Sequence, residues 1–177
     1  MEHEDSALVV LLHAIQNEIA GQRFYDDAAR FCIDPWAKEL LDRLAREEEG
    51  HVQLLLGQYD ALRGGLGWRD IQEATERGAA ADLSRVAFPA GEPPAALFPS
   101  GWSPAQALDR GSDDLSALML AIEIEKLAVG LYQRESETAR DDAAREAYLF
   151  LVQEERRHYR QLTAQWERLS GLPWEEG

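Results

Sequence analysis

Sulfur is scarce in this chain: 177 residues carry one cysteine, Cys32, and two methionines, Met1 and Met119. A single thiol excludes an internal disulfide and any Cys-x-x-Cys metal module. Positive charge is scarce too, with 18 Lys and Arg against 33 Asp and Glu and a net charge of −15. Such an excess argues against nucleic acid and anionic membrane surfaces as partners. The longest apolar run, Ala7 to Leu12, falls far short of the roughly 20 residues of a spanning helix, so no membrane association is expected. The opening Met-Glu-His-Glu-Asp-Ser is acidic and unlike a signal peptide, and a cytoplasmic location is the expectation. The hydrophobic fraction of 45% is that of an ordinary globular protein. The length suits a single domain, residues 1–177, with a real core.

Within that frame one motif occurs twice. Glu48 and His51 form a Glu-x-x-His pair, and so do Glu155 and His158. Residues three apart share a helix face, and around Glu48 that face is otherwise apolar, with Leu41, Leu44 and Leu55. A carboxylate and an imidazole in an apolar stripe are costly to bury without partners. The two pairs belong to an internal repeat. A shift of 107 residues places Glu18 on Glu125, Tyr25 on Tyr132, Asp34 on Asp141, Glu47 on Glu154, Glu48 on Glu155 and His51 on His158. Leu8, Leu11, Ala14 and Ile15 fall on Leu115, Leu118, Ala121 and Ile122 at the same shift, and no gap is needed.

The periodicity predicts an all-α chain with helices over about 6–31, 34–62, 113–139 and 141–170. Ser6, Asp34-Pro35 and Asp141 read as starts, and Gly64-Gly65 and Gly171 as stops. Glu18 lies 14 residues before the turn at Cys32, and Glu48 lies 14 after Asp34, so an antiparallel hairpin brings the two level. The second half repeats this with Glu125 and Glu155. The expected architecture is a four-helix bundle of two repeated hairpins, joined by a crossover over residues 63–112. The crossover holds five of the seven prolines, and short helices are expected near 69–77 and 104–110. Trp68, Phe88, Phe98 and Trp102 suggest that it packs on the bundle; no chemistry is assigned to it. Glu123 and His13 are read as lying outside the site.

Four helices thus each point a Glu inward at one level, and two add a His. Four carboxylates do not share a dry core without cations. Carboxylate and imidazole together suit iron, manganese or zinc better than calcium or magnesium. A Glu from each of two helices plus Glu-x-x-His from the other two is the pattern of ferritin-like di-metal bundles.

On Glu18 with Tyr25, Glu48-x-x-His51, Glu125 with Tyr132, and Glu155-x-x-His158, over about 6–60 and 113–170, the chain resembles the rubrerythrins of the ferritin-like superfamily. The resemblance implies two iron ions, with manganese or zinc as substitutes. Glu48 and Glu155 would bridge them, and Glu18, His51, Glu125 and His158 would be terminal. It also implies reduction of hydrogen peroxide or reaction with oxygen, and a homodimer. Two departures stand out. Rubrerythrins usually carry another Glu three residues after the third ligand helix's Glu, where this chain has Ala128. They commonly carry a rubredoxin domain with four cysteines, so here electrons would come from a separate donor protein. Bacterioferritin is similar in its six ligands but binds haem through a methionine; neither Met1 nor Met119 suits that role, and no haem is expected. The expected function is a di-iron peroxide or oxygen reductase. The alternatives are an iron-binding ferroxidase without substrate turnover, or a bundle with a structural metal.

Three further expectations concern the surroundings. Metal-bound imidazoles usually donate their second N–H to a carboxylate or carbonyl, so Glu47 is expected opposite His158 and Glu154 opposite His51. Tyr25 and Tyr132 either hydrogen-bond the ligand carboxylates, supply an electron, or are core tyrosines satisfied elsewhere. Gly21 and Ala128, small repeat mates, are expected to leave space on both sides of the metal pair.

Overall fold

The structure, a computed structural model, describes residues 2–88 and 114–175. They form helices α1 (Glu2–Phe31), α2 (Pro35–Arg63), α3 (Ile71–Ala80), α4 (Asp114–Thr138) and α5 (Asp142–Ser170), with one 3-10 turn at Leu83–Arg85. No strand occurs among the described residues. The expected short helix over 104–110, and the packing of Phe98 and Trp102, fall outside them.

Local chemistry sets the helix ends. Asp34 caps α2, its side chain accepting from the Ala37 amide, and Pro35 occupies the first helical position. Asp141 caps α5 by accepting from the amides of Ala143 and Ala144. Gly171 ends α5 in the left-handed conformation, at φ +71. The first helix starts at Glu2, ahead of Ser6.

The dominant packing is α1 on α2 and α4 on α5, each pair turning back through three residues, with α3 laid on α2. Asp114, in the first turn of α4, ties the two pairs together: its carboxylate accepts from the Ile33 amide at 2.9 Å and the Asp34 amide at 2.6 Å. Burial and Asp114 push the Cys32 thiol beside it up to about 12, so it remains a protonated packing group.

The described part of the crossover covers α2. Trp68 and Phe88 pack against the apolar core. Helix α3 approaches α2 at a glycine pair: a Cβ on Gly57 would stand 1.7 Å from the Ala74 carbonyl oxygen, and one on Gly78 1.7 Å from that of Gln53. Only glycine permits such an approach. The expected helix over 69–77 is therefore displaced to Ile71–Ala80 and docks backbone to backbone.

Buried apolar residues form two clusters. One contains Tyr25, Leu41, Leu44, Leu118, Ile122 and Leu162. The other contains Leu11, Ile15, Leu55, Leu131, Tyr148 and Leu151. On each of α1, α2, α4 and α5 the chain passes from one cluster to the other through a single buried glutamate.

Candidate metal centre

Those four glutamates are Glu18, Glu48, Glu125 and Glu155. With His51 and His158 they are at most 4% exposed. Two groups of side chains bring ligand atoms within 4.8 Å of one another: Glu18, Glu48, His51 and Glu155, and Glu48, Glu125, Glu155 and His158. The groups overlap in Glu48 and Glu155 alone. The two imidazoles stack with centroids 5.5 Å apart and planes 21° from parallel.

Both imidazoles turn Nδ1 toward the carboxylates. His51 Nδ1 lies 3.2 Å from Glu18, 2.9 Å from Glu48 and 3.2 Å from Glu155. His158 Nδ1 lies 3.3 Å from Glu48, 3.4 Å from Glu125 and 3.3 Å from Glu155. His51 Nδ1 hydrogen-bonds with Glu18 and Glu48, whereas His158 Nδ1 and Glu155 Oε1 are buried with no directed hydrogen bond to any neighbour. Buried ligand atoms left without a directed partner suit a cation between them better than a closed hydrogen-bond network. The donor set of six carboxylate and imidazole groups fits iron, manganese or zinc.

Without a cation, the groups balance their charges with protons. Burial and the charges of Glu48 and Glu155 hold the Glu18 carboxyl well above its ordinary range. Burial and Glu155 do the same to Glu125. Burial would raise Glu48 as well, but the charge of His51 and the bonds of both histidines outweigh it and pull it down. Burial and Glu48 likewise press Glu155 upward, and the two imidazoles reverse the effect. Burial disfavours a charged His51, yet Glu155 and Glu48 overcome it and raise the imidazole. For His158 the carboxylates of Glu125, Glu155 and Glu48 overcome burial and push it up to about 12. Folding thus favours protons on Glu18, Glu125 and the two imidazoles over protons on Glu48 and Glu155.

The tyrosines bond across the repeat. Tyr25 donates to Oε1 of Glu125, and Tyr132 donates to Oε1 of Glu18. Both phenols are held far above their ordinary range, first by burial and then by those same glutamates, Glu125 for Tyr25 and Glu18 for Tyr132. Each therefore keeps its proton and orients a carboxylate of the other half. Beyond the ring, His158 Nε2 lies 3.0 Å from Glu47. Glu154 has a different partner: it accepts from Arg157, one turn along α5. Arg157 also reaches Glu47 at 3.4 Å. The repeat is thus symmetric in the six inner residues and asymmetric around them.

Gly21 and Ala128 line the same cavity of about 10 Å³, together with Glu18, Glu48, Glu125 and Glu155. The expectation of space on both sides of the site is corrected to one cavity on one side, because α1 and α4 present these two residues to a common gap. Its volume matches roughly one water-sized probe. Asn17, buried beside Glu18, and its repeat mate Ile124 also line it. Asn17 was legible only as a polar residue where the other half has an apolar one. Glu123 is exposed and His13 half-buried, both outside the two groups.

No family model and no curated protein matches the chain. Among solved structures it is similar to a hypothetical protein from Pyrococcus furiosus, with 22% identity and a TM-score of 0.61, over 96% of this chain and 93% of that one. That likeness concerns the fold. The buried Glu and His groups themselves could bind a metal ion, and no helix among the described residues is long and apolar enough to cross a membrane.

Proposed function

We propose that this chain is a ferritin-like di-iron carboxylate protein of the rubrerythrin kind, reducing peroxide, or oxygen, with electrons from a separate donor protein. The observation that carries the reading is the overlap of two four-residue ligand groups in Glu48 and Glu155, which would let two ions share those carboxylates. Glu18 and His51 would complete one ion's set, and Glu125 and His158 the other's. A bound iron pair supplies the two electrons with which hydrogen peroxide, taking two protons, becomes two waters.

The chain's own residues set the conditions. Tyr132 and Tyr25 fix the terminal carboxylates through hydrogen bonds. Glu47 fixes His158 and makes it a better donor. The apolar clusters on either side keep bulk water out, and the cavity beside Gly21 and Ala128 admits one small ligand. An open position is what separates a reactive metal from a structural one.

A second reading, iron oxidation and holding without turnover, is favoured by Ala128, which leaves the pair without a further carboxylate. Stopped-flow mixing of the diferrous protein with each oxidant separates the two. The reductase reading expects faster oxidation by peroxide than by oxygen, and repeated turnover when a donor is added. Faster reaction with oxygen and no donor-supported turnover gives the site to iron handling.

A further inference from the structure

The asymmetry around the centre extends to its aromatic residues. Tyr132, bonded to Glu18, stacks on Tyr148 with centroids 6.3 Å apart and planes 20° from parallel. Tyr148 in turn meets the half-buried Trp68 edge-on at 5.7 Å. Trp68 and Tyr148 both line a surface pocket of about 480 Å³ between the end of α2 and the α4–α5 turn. A continuous file of three oxidisable or conjugated rings therefore runs from a carboxylate of the centre to the surface.

The other half of the repeat differs at the position of Tyr148. Tyr25 makes the equivalent bond to Glu125, but its aromatic neighbour is Phe24, at 5.3 Å. Leu41 stands where the repeat places Tyr148, and it is fully buried. Two halves that agree in all six inner residues thus also differ in the ring beside the second tyrosine, Tyr148 against Leu41. Trp68 is also held in place. The buried Gln58 side chain accepts from the Arg69 amide at 2.9 Å and donates to the Arg69 carbonyl at 2.7 Å, fixing the loop that carries the indole.

We propose that Trp68, Tyr148 and Tyr132 form a one-electron relay between the 480 Å³ pocket and the Glu/His centre. The inference rests on the metal reading above for the electron's destination. For each electron passed, the donor protein is oxidised by one unit and the metal pair reduced by one. The electron enters at Trp68 from the donor and crosses the ring of Tyr148 to Tyr132. From Tyr132 it passes to the centre through the hydrogen bond to Glu18. No bond to carbon changes, and no proton is gained or lost by the relay.

The test uses the full chain loaded with redox-inert zinc and photo-oxidised by tris(bipyridine)ruthenium(III) in solution. The readout is the Tyr132 radical, defined as the component of the frozen-sample electron paramagnetic resonance spectrum absent from Tyr132→Phe. The relay predicts this component in the wild-type chain and its loss in Trp68→Leu and Tyr148→Leu. It predicts retention in Tyr148→Phe, which keeps the bridging ring, and in Trp36→Leu, an exposed tryptophan elsewhere. Persistence of the component in Trp68→Leu or Tyr148→Leu overturns the relay. If Tyr148→Leu does not fold, Trp68→Leu, on a surface loop, decides alone. If the chain takes up no metal, the di-iron reading fails, and the same experiment on the chain as purified still decides the relay.

Discussion

Loading the centre with a divalent metal should expel protons at neutral pH. Folding raises the proton affinity of Glu18, Glu125, His51 and His158, and any proton one of them holds is one that a ligand cannot keep. The sign of the pH effect follows. All four groups have values raised by folding, so their protons hold the metal-free fold together at low pH and are lost as pH rises through the raised values. Metal competes with these protons, so affinity, and the gain in melting temperature on loading, should increase from about pH 5 to about pH 8. Anaerobic addition of Fe(II) in a pH-stat, or zinc in calorimetry across buffers of different ionisation heat, reads the release directly. No proton release, or a stabilisation that shrinks as pH rises, would refute this reasoning.

Other consequences concern single residues. Tyr25→Phe and Tyr132→Phe each leave a buried carboxylate short of a donor and should cost about 1–3 kcal/mol in denaturant unfolding. Gly57→Ala cannot coexist with the Ala74 carbonyl 1.7 Å away; α3 should lift off α2, at a cost of about 3 kcal/mol or more, and proteolysis near Ala80 should accelerate. Glu47→Gln should weaken metal affinity roughly tenfold in chelator competition, whereas Glu154→Gln, which loses only a half-exposed pair with Arg157, should leave it near the wild-type value.

The six inner residues were legible because the 107-residue shift repeats them without a gap, and because burying four glutamates has few physical solutions. The caps at Asp34 and Asp141 were legible for a local reason, a short acceptor followed by Pro35 in one case and by the acidic Asp142 in the other. Contacts between helices were not. That Tyr132 bonds Glu18 and Tyr25 bonds Glu125 depends on how the two hairpins face each other, and no single helix's periodicity carries that. The same holds for Gly21 and Ala128, whose meeting at one cavity is a property of the α1–α4 gap. The docking of α3 depends on Gly57 and Gly78, two glycines inside helices, which pattern reading counts only as weak helix formers. Glu154 follows the repeat in sequence and departs from it in space because Arg157 lies one turn away to bind it, whereas the repeat mate of Arg157 is Gly50.

The central claim is that six side chains from four helices hold a pair of metal ions. Anaerobic Fe(II) titration of the wild-type chain beside Glu48→Ala and Glu155→Ala tests it most directly. The account predicts saturation at about two equivalents in the wild type and loss of the pair in each variant, since each removes a carboxylate common to both ligand groups. Saturation at a single equivalent, with both variants binding as the wild type does, would contradict it.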